Sequence, residues 1–252
     1  MLPDPSEPPI PLEPPDAERP ALAERLVALV EVLICSDYPT QIAIGATFAA
    51  LGYLPYGPDG QLQLKYVVGI SLVDAVALVG LVLLFLYSHG ERPGDVLLGR
   101  RPVLREVAHG MPLILVATVI GIATLLTIQR FAPSLHTVAE NPLGQLLSRP
   151  RDAWLFALVV IVAGGVREEI QRAFLLHRFE QALGGSTVGI LVTSAAFGAG
   201  HFLQGADAAV ATGLLGAFWG FVYLRRRSAV ASVVSHAGFD LLQIAQFLLG
   251  GK

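Results

Sequence analysis

The residues of this 252-residue chain that could do chemistry are three clusters of acids and imidazoles, each set in an apolar run. The first is Val166-Arg167-Glu168-Glu169-Ile170-Gln171-Arg172. Helical spacing brings Arg172 beneath both carboxylates, at i+4 from Glu168 and i+3 from Glu169. One acid can pair with the arginine, which leaves the other for general-base work. The same residues also read as a salt-bridge network where a helix leaves the membrane. The second cluster, Phe197-Gly198-Ala199-Gly200-His201, sets a ring and an imidazole one turn apart among small residues, either as a reactive group or as a hydrogen-bonded structural one. The third is His236-Ala237-Gly238-Phe239-Asp240, where a carboxylate at i+4 can fix the tautomer of the imidazole, or where both act as packing contacts between helices.

These groups must be positioned by helices that lie in lipid. The chain is 54% hydrophobic and 15% charged, with a mean hydropathy of +0.62, outside the range of an ordinary soluble domain. A bilayer core of about 30 Å takes roughly 20 apolar residues as helix. About seven windows meet that length: Gln41 to Leu54, Tyr66 to Tyr87, Val107 to Ile128, Trp154 to Leu176, Thr187 to Leu203, Ala208 to Leu224 and Ala229 to Leu249. The expected fold is an all-α, polytopic transmembrane helix bundle whose C-terminal four spans, which carry the three clusters, form a compact half. Ala21 to Cys35 reads as an interfacial amphipathic helix leading into a weak first span. Runs such as Ser194 to Gly200 and Gly213 to Gly220 suit close helix packing in lipid.

An ionisable residue inside a membrane is a functional candidate by default, or a paired structural group. Asp74 in the second span joins the three clusters on that ground. His89, His109, His136 and His177 fall in loops or near span ends and read as solvated. Helical rise from the span ends puts all three clusters within the hydrophobic thickness, so a shared water-filled cavity is allowed.

Seventeen Lys and Arg against 20 Asp and Glu give a net charge of -3, which leaves no basic excess for a nucleic-acid partner. The lone cysteine, Cys35, excludes an internal disulfide and a multi-cysteine metal cage. The arginines of the loops after the second, fourth and sixth spans fall on one side, which places the N-terminus in the cytosol of a multi-pass protein. The first twenty residues hold eight prolines and five acids and read as a disordered tail, not a signal peptide. The expected organisation is this tail over 1–20, an N-terminal transmembrane region over 21–150 and a catalytic transmembrane domain over 151–252.

Glu-Glu followed by Arg, then Phe-x-x-x-His, then His-x-x-x-Asp, in that order over roughly Trp154 to Leu249, resembles the CPBP intramembrane proteases. These include the CAAX prenyl endopeptidases and the bacterial Abi, or lysostaphin-resistance-like, proteins. The resemblance implies an integral protein of the bacterial cytoplasmic membrane, a hydrolase in which glutamate and histidine activate water against a peptide carbonyl. It implies Glu168 and Glu169 as the glutamate pair, Arg172 as its arginine, His201 as the water-activating histidine, and His236 with Asp240 as the oxyanion pair. Its partners would be the lipid bilayer and a membrane-tethered protein or peptide, with a prenylated one as an option. The family has also carried the label metalloprotease; no cofactor is certain, zinc is the option, and if a metal is bound its ligands would be Glu168, His201 and His236.

The family's pattern has three residues between the second glutamate and the arginine, whereas only Ile170 and Gln171 intervene here. Order favours Glu168 as the base and Glu169 as partly structural. A second register puts Arg167 in the first-glutamate place, makes Glu168 the arginine's partner and implies a weakened or inactive enzyme. No His-Glu-x-x-His occurs for a zinc site, Gly69-Ile70-Ser71 lacks the following glycine of a serine elbow, and Asp240 lacks the Gly-x-Gly before it that an aspartyl type would carry. The alternatives in other classes are a proton- or ion-coupled transporter and a catalytically inactive membrane scaffold of the same fold.

Overall fold

A computed structural model describes residues 20–139, 144, 146 and 150–250. The expected proline-rich tail, except for Pro20, lies outside the described residues. The chain is an all-α membrane bundle, and no named strand occurs among the described residues. In lipid the backbone must satisfy its own donors and acceptors, and helices do so within one segment. Helices α1 (Leu22–Ile34) and α2 (Tyr38–Ala50) are followed by α3 (Leu64–Ser88) and α4 (Val103–Phe131). Then come α5 (Pro150–Val159), a π-helical stretch (Val160–Arg167) and α6 (Glu168–Ala182). The chain continues through α7 (Gly185–Gly200), α8 (Ala206–Arg226) and α9 (Val230–Gly250).

Each of the seven apolar windows overlaps one of these helices, but fewer qualify as spans by length and composition. Among the described residues α3, α4 and α8 do so alone, and α1 with α2 forms a fourth as a pair bent by 42°. The window at Trp154 to Leu176 is divided by the π turn, and α7 has 16 residues, too few for the bilayer thickness without help from its neighbours. The helix read as interfacial, α1, is tied to the bundle through Glu31, which is 4% exposed and bonded to Arg178. Outward faces of α3 and α4 stay apolar: Val76, Leu84, Leu104 and Leu115 are all exposed, as lipid contact requires.

The most extensive pairings are α7 with α8 and α4 with α9, with the π stretch laid on α9. Small residues permit this. A Cβ at Gly198 would come within 2.6 Å of the Ala209 carbonyl, and one at Gly110 within 2.7 Å of the Ala231 carbonyl. The histidines read as solvated are mostly paired: His89 with Glu31 at 2.6 Å, His136 with Asp207 at 2.7 Å and His177 with Glu91 at 2.6 Å.

Candidate active site

The π stretch ends where the acids begin. Gly164 and Gly165 lie within it, and α9 crosses at that point: a Cβ on Gly165 would sit 2.6 Å from the Ala237 Cβ, and one on Gly164 2.7 Å from Asp240 Oδ2. A wide turn with an extra residue rotates the helix beyond it, a device frequent at functional sites. Here it delivers Arg167, Glu168 and Glu169 beside the imidazole of α9.

Glu169 is 1% exposed and fully engaged on one oxygen. Its Oε1 accepts from the Arg172 guanidinium, one turn on, and from His236 Nδ1 at 2.8 Å. Because a carboxylate only accepts, that bond puts a proton on Nδ1 of His236. The other ring nitrogen, Nε2, faces Glu168 Oε2 at 3.8 Å and Asp240 Oδ2 at 3.6 Å. These separations are too long for direct hydrogen bonds. Glu168 is the less buried acid, with a side chain 14% exposed, and its Oε1 lies 3.4 Å from Arg167.

The imidazole of His236 is held by aromatic rings. Trp219 stacks on it, Phe197 stands edge-on with centroids 6.1 Å apart, and the Trp219 indole N–H donates to Ser235 Oγ at 3.1 Å. The Arg172 guanidinium lies 4.6 Å over the Phe197 ring, which adds a cation–π contact to its ion pair.

The structure thus brings Glu168, Glu169, Arg172, His236 and Asp240 into one cluster. His201 stands one ring away. It caps α7, donates Nδ1–H to the Phe197 carbonyl at 2.8 Å and packs edge-on against the same Phe197 ring at 4.8 Å. That bond fixes a tautomer in which a neutral ring offers Nε2 as a lone pair. Among the described contacts none joins His201 directly to an acid of the cluster. The second register required Glu168 to be the partner of Arg172; Glu169 is that partner.

Sequence reasoning missed Trp219, Ser235 and Asp37, whose type and spacing give no sign that they meet the site. Asp74, singled out as an intramembrane acid, lies with Asp37 on the far side of Arg167. Among the described residues no three of His, Cys, Asp and Glu are arranged to hold a metal ion. An open cleft of about 460 Å³, lined by Pro93, Leu97, Val166, Ile170, Val230 and Val234 among others, is apolar throughout and includes none of the clustered polar groups.

Residues 150–242 match the family model described as Rce1-like, type II CAAX prenyl endopeptidase Rce1-like. No curated protein and no solved structure matches the chain. The match takes in well under half of the chain, yet all six residues of the expected site fall inside it. With the acid–imidazole cluster lying in the same segment, this part of the chain is similar to the CAAX-type proteases of the CPBP family.

Proposed function

We propose that the protein is an intramembrane endopeptidase that hydrolyses a peptide bond of a membrane-tethered, and by family a prenylated, protein or peptide. The observation that carries this reading is the division of labour between two adjacent acids. Glu169 is committed to Arg172 and His236, whereas Glu168 keeps an oxygen directed toward His236 Nε2 and is partly open to water.

Glu168, with His201 assisting through its free Nε2, takes a proton from a bound water. The resulting hydroxide forms a bond to the peptide carbonyl carbon, and the carbonyl oxygen becomes an oxyanion. His236, held at Nδ1 by Glu169, donates to that oxyanion through Nε2–H, with Asp240 orienting the ring. The proton on Glu168 passes to the leaving nitrogen as the C–N bond breaks, giving a carboxylate and an amine. A donor fixed by stacking and by a buried carboxylate needs no reorganisation as charge develops, which is where such stabilisation is most effective.

The reading is tested with purified protein in detergent and a fluorogenic farnesylated peptide ending in a free carboxylate. Cleavage is expected from the unaltered chain. Glu168→Ala, His201→Ala and His236→Ala, each singly, should abolish it at preserved folded yield. Turnover retained in all three overturns the assignment. Loss of activity on chelation, with recovery on added zinc alone, would replace this metal-free chemistry with a metal-dependent one.

A further inference from the structure

We infer that Arg167 is a positioning residue that aims Glu168, and that Asp37 and Asp74, supplied from outside the matched segment, hold Arg167 for that task. The inference rests on the reading of Glu168 as the base.

Arg167 closes the π stretch and is 5% exposed. Its three guanidinium nitrogens face three different acids from three parts of the fold. NH1 lies 2.8 Å from Asp37 Oδ1, Nε lies 3.5 Å from Asp74 Oδ2 on α3, and NH2 lies 3.4 Å from Glu168 Oε1. All three are ion-pair contacts of a buried guanidinium; that to Glu168 is also a hydrogen bond, whereas Nε and NH1 face Asp74 and Asp37 by charge alone. Glu168 is then held by one oxygen while the other points at His236 Nε2, 3.8 Å away. The base is therefore oriented from behind by an arginine that takes no part in bond making.

Asp37 carries the second half of the argument. It stands at the break between α1 and α2 with φ +79°, a backbone conformation that a non-glycine residue adopts only when its surroundings impose it. The break is clamped to α6 nearby, where Gln171 Nε2 donates to the Cys35 carbonyl at 2.8 Å. Tyr38 adds a bond from its hydroxyl to the Ala196 carbonyl at 2.9 Å, one residue before Phe197. The bent pair is thereby tied to the helices that bear Glu168 and His201. A plain counter-ion for Asp74, which is 1% exposed, would not need this second anchor at a strained turn.

The test uses the full chain in detergent with the farnesylated peptide. Arg167→Met should lower kcat by about tenfold to a hundredfold, the scale of misplacing a reacting group by an ångström, with KM within about twofold. Arg167→Lys should recover part of that loss, since it restores charge without the fork. Asp37→Asn, which tolerates positive φ, should lower kcat by several-fold, again without moving KM. A kcat for Arg167→Met within about twofold of the unaltered chain, or a loss carried wholly by KM, overturns the inference. Should Arg167→Met fail to fold, unchanged kcat in both Arg167→Lys and Asp37→Asn overturns it equally. Glu168→Ala in the same series separates the two readings. If it keeps turnover, the assignment of the base fails and the role of Arg167 fails with it; if it is inactive while the Arg167 and Asp37 variants run at full rate, only the role of Arg167 fails.

Discussion

The indole of Trp219 lies flat on the imidazole of His236, with ring centroids 3.7 Å apart and planes 15° from parallel. One face of the ring is thereby sealed. Trp219 is 1% exposed, so Trp219→Ala opens a cavity and should cost on the order of 3–5 kcal/mol, visible as a large fall in melting temperature in detergent. Trp219→Phe keeps an aromatic face but drops the bond to Ser235; it should melt only slightly lower and lose less activity than Trp219→Ala.

Glu169 and Arg172 are a buried pair at i,i+3. Removing one partner strands the other charge, a cost of about 3–5 kcal/mol. Arg172→Met should therefore destabilise strongly and inactivate as a consequence. Glu168→Gln touches a partly exposed acid and should leave the melting temperature nearly unchanged while turnover is lost. The contrast is read by pairing a thermal melt with a cleavage assay on each variant.

Gly164 and Gly165 are adjacent, yet a methyl group at each meets different things. At Gly164 it strikes the Asp240 carboxylate, the far end of a side chain; at Gly165 it strikes Ala237, including backbone atoms. Overpacking against α9 costs about 1–3 kcal/mol. Gly165→Ala should thus lower stability and activity together, whereas Gly164→Ala should displace Asp240 and lower activity at nearly constant melting temperature.

Glu91, in the turn after α3, gives a pH dependence away from the membrane. Burial pushes its carboxyl up, but bonds from His177, Gln181 and Arg178, at 2.6, 2.6 and 2.7 Å, outweigh burial and leave it below its usual 4.5. A depressed folded value contributes stability that is present above about pH 4.5 and is lost as pH falls through the folded value. The melting temperature of the unaltered chain should decline below that pH, and Glu91→Gln should flatten the decline.

The pairing of acid with arginine and the apolar windows could be read from the residues alone, because both are local. Glu168, Glu169 and Arg172 are neighbours on any helix, and a run such as Leu64 to Ser88 is long and apolar whatever surrounds it. The π turn was not legible, since it depends on how closely α9 crosses Gly164 and Gly165. The partnership of Arg167 with Asp37 was hidden by the distance between them along the chain and by the unusual backbone at Asp37. Trp219 read as one more apolar residue; its stacking on His236 exists only after α8 and α9 dock. The one-turn spacing of Phe197 and His201 was legible, whereas the end of α7 at Gly200, which makes His201 its cap, was not.

The most direct test compares single-turnover cleavage of the farnesylated peptide by Glu168→Gln and by the unaltered chain, at matched folded yield and melting temperature. Loss of a general base predicts a rate lower by about 10²–10⁴. A rate within about threefold of the unaltered chain would contradict water activation by Glu168.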